Sequence, residues 1–256
     1  MRSRPMSPFG RDFVVEAEAA AFEAWPAAEE IDLGGWIHRY GDGFSRRLNS
    51  VTVMPGAEVG RVGSRAVEAR DWLERRGVPA VIRVLTATPP QLDAELAALG
   101  YTREGVTVVM TGGLPLGGGG TRHSARPDPE WLDAQQRWSP IPASTAPGWL
   151  RVLERIEAPA TFATRRAADT ARAVGIGVVR RNRLVILEVA TDPGHRRRGH
   201  AGALVKGLGD WAARLGATSA LLQVVAENDA AIGLYRGLGF VEAYRYWYRR
   251  PPPGGG

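Results

Sequence analysis

The run Asp192-Pro193-Gly194-His195-Arg196-Arg197-Arg198-Gly199-His200-Ala201-Gly202 joins a Val/Ile/Leu-rich stretch to an amphipathic one. If the second stretch is a helix, its first backbone N–H groups have no intrahelical partner, and the helix dipole adds positive potential there. Small residues at Gly199, Ala201 and Gly202 let an anion approach the backbone, and Arg196, Arg197 and Arg198 supply charge-assisted contacts. The chemistry of such a loop is to cradle phosphate, and pyrophosphate in particular. It is not a Walker loop, since no Gly-Lys-Ser/Thr follows, and it lacks the Gly-x-Gly-x-x-Gly dinucleotide pattern. The bland alternative is a basic turn before a glycine-rich helix start. A second group, Asn228, Ala231 and Tyr235, recurs at spacings of three and four, which makes one stripe on a helix. A polar cap, a small residue and a phenol in line suit a ligand lying alongside; the alternative is an N-cap and a tyrosine at the core's edge.

These residues need elements to hold them. Residues 172–179 and 184–191 read as strands joined by the hairpin signal Arg181-Asn182-Arg183. From Gly199 to Leu215 the apolar residues Ala201, Leu204, Val205, Leu208, Trp211, Ala212 and Leu215 form one helical face, which Gly216 terminates. Residues 220–225 read as a buried strand, Asn228 opens the next helix, and 243–250 form a last, aromatic strand.

The same landmarks occur earlier in the chain. Asp71-Trp72-Leu73-Glu74-Arg75-Arg76-Gly77 aligns with Asp210-Trp211-Ala212-Ala213-Arg214-Leu215-Gly216 at an offset of 139 residues, and Leu99-Gly100-Tyr101 aligns with Leu238-Gly239-Phe240. Gly60 and Gly63 likewise meet Gly199 and Gly202. Between the copies, Thr111 to Pro129 is dense in Gly and Pro, the composition of a flexible connection. The expected organisation is a divergent N-terminal unit over 1–111, a linker over 112–129, a C-terminal unit over 130–250 and a disordered tail over 251–256. Each unit is an α/β (α+β) body with a mixed central sheet flanked by helices.

Composition narrows the function. The chain has 256 residues and no cysteine, which excludes disulfides, thiolate catalysis and Cys-ligated metal sites. His38, His123, His195 and His200 are too scattered for a metal site, so no metal is expected. No apolar run approaches the roughly 20 residues of a membrane helix, and residues 1–11 lack the apolar segment of a secretory signal. The expectation is a cytoplasmic protein with no membrane partner. The net charge is +6, and Lys206 is the sole lysine among 33 cationic residues. The arginines are scattered among acids rather than drawn into a basic stripe, so nucleic acid is not the expected partner.

Arg196-x-x-Gly199-x-Ala201, followed by Asn228-x-x-Ala231-x-x-Leu234-Tyr235-x-x-x-Gly239-Phe240, resembles the two signature motifs of the GNAT superfamily of acyl-coenzyme A-dependent N-acyltransferases. The whole chain is similar to tandem GNAT proteins of actinobacteria, in which a divergent copy precedes an intact one. The resemblance implies acetyl-CoA as cosubstrate, with its pyrophosphate held by the backbone around Arg197 to Gly202, His200 included. Arg196 fills the family's Gln/Arg position. Val189 and Thr191 would face the pantetheine arm, Asn228 matches a coenzyme contact, and Tyr235 matches the general acid that protonates the departing thiolate. A phenol, with pKa about 10, stays protonated at neutral pH and suits that role.

The attacking amine also needs a route for its proton. Glu188 is the obvious carboxylate near the centre, with a salt-bridged or solvated strand residue as the alternative and a water relay as another base. Strict alternation puts Leu187 and Val189 on one face and Glu188 on the other, an arrangement that a one-residue bulge would reverse. In the N-terminal copy the arginine run becomes Ala57-Glu58-Val59 and the tyrosine position becomes Leu96. A carboxylate facing a pyrophosphate repels it, so that copy reads as structural or substrate-holding. Residues 46–51 look strand-like, and Trp36, Arg39, Arg47 and Asn49 could line the acceptor side; an edge strand protected by charges is the ordinary alternative. The expected function is transfer of an acetyl group from acetyl-CoA to a primary amine, on a small molecule or a protein N-terminus, by direct attack. The alternative is a non-catalytic acetyl-CoA-binding regulator.

Overall fold

A computed structural model of the chain describes residues 9–118 and 120–253. The N-terminal segment read for a secretory signal falls mostly outside these residues, as does the end of the expected tail at 254–256. Helix α1 (Arg11–Ala24) leads to strands β1 (Glu29–Asp32), β2 (Trp36–Tyr40) and β3 (Ser50–Val53). Helix α2 (Val62–Glu74), β4 (Ile82–Leu85), α3 (Pro90–Ala98) and β5 (Thr102–Gly113) complete the first half. The second half comprises β6 (Thr121–Ser124), α4 (Pro129–Trp138), α5 (Ala146–Arg155), β7 (Ala160–Ala167), β8 (Thr170–Arg180) and β9 (Arg183–Thr191). It ends with α6 (His200–Arg214), β10 (Ser219–Val225), α7 (Asp229–Gly237) and β11 (Val241–Arg250).

Local signals account for most of these boundaries. Arg181 and Asn182 both adopt positive φ, the conformation that a two-residue hairpin turn between β8 and β9 requires. Gly216, at φ +85, lies two residues beyond the last residue of α6, and Asn228 caps α7 by accepting a hydrogen bond from Ala231 N–H at 3.1 Å. Two expectations need correction. Strand β3 begins only at Ser50, and Arg46 to Asn49 lie in a turn. The segment 112–129 is not merely a flexible link: β5 extends to Gly113 and β6 pairs with β7. Asp210 also accepts hydrogen bonds from Gly117 N–H (3.1 Å) and Gly118 N–H (2.8 Å).

Among the described residues all eleven strands belong to one sheet, in the order β1-β2-β3-β4-β11-β5-β10-β9-β8-β7-β6. Helices α3 and α7, and strands β5 and β11, start at the same 139-residue offset seen in the sequence. The last strand of each half lies beside the other half: β11 pairs antiparallel with β4, and β5 with β10. The two exchanged strands also pair with each other along most of their length. The sheet is therefore continuous, where two separate sheets were expected. Helices α1, α4 and α5 cover one face, and α2, α3, α6 and α7 cover the other. Gly175 and Gly177 bring α6 close to β8, since a Cβ at either would meet Leu204 at 3.1 Å or Leu208 at 2.9 Å.

Beneath α1 the exchanged strand is fixed by a buried polar cluster. Glu18, fully buried, accepts two hydrogen bonds from Arg83 of β4 and a third, 2.7 Å long, from the Tyr244 hydroxyl of β11. The Arg83 guanidinium lies 3.6 Å from the ring centroid of Tyr246. Removing one partner of such a pair leaves an uncompensated charge out of water. Glu18→Ala should therefore destabilise the fold by about 3–5 kcal/mol in urea unfolding; a loss within experimental error would mean Arg83 is solvated some other way.

Candidate active site

The site begins where sheet pairing stops. Strands β9 and β10 run parallel and pair only from Ser219↔Arg183 to Leu222↔Ile186. Beyond that point β10 continues to Val225 along β5, and β9 continues to Thr191 along β8, so the two strands part. From Leu187 onward the β10-facing edge of β9 carries unpaired backbone groups, which a ligand strand or extended arm can use. A cleft of about 500 Å³ occupies the gap.

A bulge lies at the mouth of this gap. Across β8 and β9, Val174 faces Ala190 and Ile176 faces Leu187, so Glu188 and Val189 together oppose Gly175. Glu188 takes φ +51, an unusual conformation for a residue with a side chain. The extra residue breaks alternation: Leu187 packs with α4 and α5, whereas Val189 packs with α6. Leu187 and Val189 thus lie on opposite faces, contrary to strict alternation. The Glu188 carboxylate accepts from Arg47 Nη2 at 3.2 Å and from Gln135 Nε2 at 3.5 Å. Burial pushes its pKa up; the charge and hydrogen bond of Arg47 oppose this without cancelling it.

Arg47 arrives from the first half of the chain, on a tightly built turn. Asn49 accepts from Gly41 N–H (3.0 Å) and Gly43 N–H (3.3 Å) and donates to the carbonyls of Phe44 and Ser45, both at 2.9 Å. Asp42 pairs with Arg151 and Arg155 of α5, and Gly148 has no room for a Cβ, which would stand 2.5 Å from Asp42 O. The turn is thereby clamped to α5, and Arg47 lies 5.7 Å from the Trp25 ring with its head at Glu188.

The other wall comes from α7. Asn228, Ala231 and Tyr235 all line the cleft, as one stripe. Only 7% of Tyr235 is exposed, and burial pushes its hydroxyl pKa up to about 12, so it is a firm proton holder. Beyond β9, Asp192 organises the loop by accepting from Gly194 N–H (3.0 Å), Arg172 (2.9 Å) and His195 (2.7 Å). Arg197 and Gly199 take left-handed conformations (φ +57 and +78). Ala203 N–H makes the first bond of α6, to Gly199 O. The amides of His200, Ala201 and Gly202 precede it, and Arg196 to Gly199 are exposed. The arrangement brings together an exposed arginine loop at the start of α6, a buried phenol and a buried carboxylate.

The N-terminal candidates divide. Arg47 reaches the cleft, but Trp36 and Asn49 do not. Trp36 is fully buried between β2 and α2, its indole N–H donating to Glu58 O at 3.2 Å, and Asn49 is spent on its own turn. Arg39 is also buried, bound to Glu30 and to the carbonyls of Phe22 and Trp25. Leu96, 139 positions before Tyr235, is core.

A family model described as "Probable histone acetyltransferase Rv0428c C-terminal" matches residues 14–249. The chain belongs to this family. It is also 26% identical over 246 residues to an uncharacterised N-acetyltransferase of Bacillus subtilis, YobR, covering 93% of this chain and 98% of the relative. In fold it resembles a GCN5-related N-acetyltransferase from Kribbella flavida (TM-score 0.72, 15% identity, 94% and 96% of the two chains). It also resembles a tandem GNAT protein of the clavulanic acid biosynthesis pathway (TM-score 0.58, 16% identity, 80% and 76%). The protein is an acyltransferase of the GNAT type, and the two motifs on α6 and α7 are where its resemblance to that superfamily was first legible.

Sequence reading missed Gln135, which lies on α4, 53 residues before Glu188. Nothing in its local pattern marks it. Tyr246 and Tyr248 also line the cleft, and their alternation in the aromatic strand was the available signal. Because Arg47 holds the Glu188 carboxyl down against burial, Arg47→Gln should move its titration to higher pH, as followed by carboxyl carbon NMR. An unchanged or lowered midpoint would show that Arg47 does not govern this group.

Proposed function

We propose that the protein transfers an acetyl group from acetyl-CoA to a primary amine by direct attack, with the chemistry in the cleft between β9 and β10. The observation that carries this reading is that Tyr235, from helix α7, and Glu188, from the bulge of strand β9, line the same opening. The open end of α6 supports the donor assignment. Three amides without intrahelical partners, a left-handed Gly199 and the exposed Arg196, Arg197 and Arg198 suit a pyrophosphate. Val189 and Thr191 lie along the strand edge left open to an extended arm, and Asn228 stands at the start of α7 beside it. The cosubstrate supplies an acyl thioester.

In this reading Glu188, with a pKa above the ordinary carboxylate range, takes a proton from the acceptor's ammonium. The freed nitrogen bonds to the acyl carbon, the carbon–sulfur bond breaks as the Tyr235 hydroxyl protonates the leaving sulfur, and the second proton shed by the new amide nitrogen restores the Tyr235 hydroxyl. No residue is acylated along the way, consistent with a chain that has no cysteine. The division into a divergent N-terminal copy (1–111), a connection (112–129) and a catalytic copy (130–250), a tandem repeat in a cytoplasmic protein, belongs to the same proposal. In it the first copy serves the second by delivering Arg47.

Tyr235→Phe should lower kcat by about 100-fold or more while leaving acetyl-CoA affinity nearly unchanged, measured by thiol release and by calorimetry. Wild-type protein that binds acetyl-CoA but releases no thiol with any amine would favour a regulatory binding protein instead.

A further inference from the structure

The acceptor end of the cleft has a charge arrangement that a simple amine does not satisfy. Three charged side chains line the cleft among the described residues: Arg46, Arg47 and Glu188. Arg46 is committed to Glu104 at 2.9 Å, on the rim. Arg47 is held at Glu188 through one nitrogen, and its side chain is 27% exposed. Beside them is Gln135, 1% exposed, whose Nε2 faces Glu188 while its Oε1 has no hydrogen-bond donor. A buried amide oxygen left unpaired costs free energy, and its place at a carboxylate marks it as waiting for a cation with several N–H groups.

An ammonium carries three donors, and Glu188 and Gln135, whose side chains meet through Gln135 Nε2, offer it a carboxylate and an amide oxygen as acceptors. Its arrival displaces Arg47 from Glu188 and leaves a half-buried guanidinium next to a second cation. A plain amine or polyamine leaves that charge uncompensated, whereas an acceptor with its own carboxylate next to the ammonium pairs both. Resting on the acyl-transfer reading of this cleft, we infer that the acceptor is a small zwitterion of the α-amino acid class. Glu188 and Gln135 receive its ammonium, and Arg47, from the first half of the chain, receives its carboxylate.

The test uses full-length protein and matched trios sharing one side chain: a free amino acid, its carboxamide and the decarboxylated amine. Short peptides and polyamines serve as further arms. Thiol release gives kcat/KM, and calorimetry on the coenzyme A-saturated protein gives the binding constants of the same compounds. The free acid should exceed its amide and its amine by about 10- to 100-fold in both readouts, the size expected of one charge-assisted contact. Arg47→Gln should bring that ratio close to one, Arg47→Lys should retain much of it, and Gln135→Leu should weaken all three members alike. An acid no better than its amide, a ratio unmoved by Arg47→Gln, or activity confined to peptides or polyamines would overturn the assignment. The wild-type ratio decides without reliance on any variant's folding. Loss of the acyl-transfer reading itself is distinct: no thiol release in any arm and no acetyl-CoA binding, with titrations of the same amino acids into the protein alone still reporting on Arg47.

Discussion

The exchange of last strands between the two halves is the constraint on which the rest depends. β11 closes against β4 of the first half, and β5 against β10 of the second, so neither half has a complete sheet without the other. Pulling them apart would bare the edges of β4 and β10, a row of unpaired backbone groups on each. The buried Glu18–Arg83–Tyr244 cluster fastens the same junction from α1, across β4, to β11. Because the halves share one sheet, the turn at 41–49 stands in a fixed relation to β9. A side chain 141 positions earlier can then meet Glu188.

The site itself arises from two interruptions of regular pairing. The parting of β9 from β10 opens a cleft in the sheet, and the bulge at Glu188 turns a carboxylate into its mouth. Gly175 contributes to the second by having no side chain opposite the bulge: a Cβ there would press on Leu204 and Val189, at 3.1 and 3.3 Å. A left-handed glutamate is conformationally costly. Gln135 and Arg47 hold its carboxylate, and Trp131 of the same helix donates its indole N–H to Gly175 O across the bulge at 3.2 Å. The left-handed backbone and the raised pKa of Glu188 thus have related origins, since the bulge places the carboxylate where burial favours its protonated form.

The first half has the same landmarks without the polar residues proposed to do the chemistry. Its helix α2 still follows a glycine-bearing loop, but Glu58 stands where the arginine run would be and its carbonyl is tied to Trp36. Leu96 fills the core where its counterpart Tyr235 faces a cleft. What this half has is the packing of α2 and α3 on β2 to β4, and the turn, organised by Asn49, that carries Arg47.

Much of the second half was legible in the sequence because its signals are local. The hairpin at Arg181-Asn182, the stop at Gly216, the cap at Asn228 and the apolar face of α6 depend on residues a few positions apart, and the structure has each of them, except that Leu215, expected on that face, lies just past the helix and is 49% exposed. The 139-residue repeat was legible for the same reason, as a succession of such landmarks. Alternation could not fix the face of Glu188, because a bulge is settled by pairing with β8 and not by β9 alone. Nor could residue type separate Arg47, which reaches the cleft, from Asn49, which is spent on the turn that carries it, and Trp36, which is buried in the core. Gln135 carried no local mark at all. The sequence by itself determined the elements, the repeat and the two motifs of the acyltransferase family. Tertiary structure alone decided that the halves share one sheet and which polar groups meet, because those outcomes depend on long-range strand pairing and burial, which no local pattern encodes.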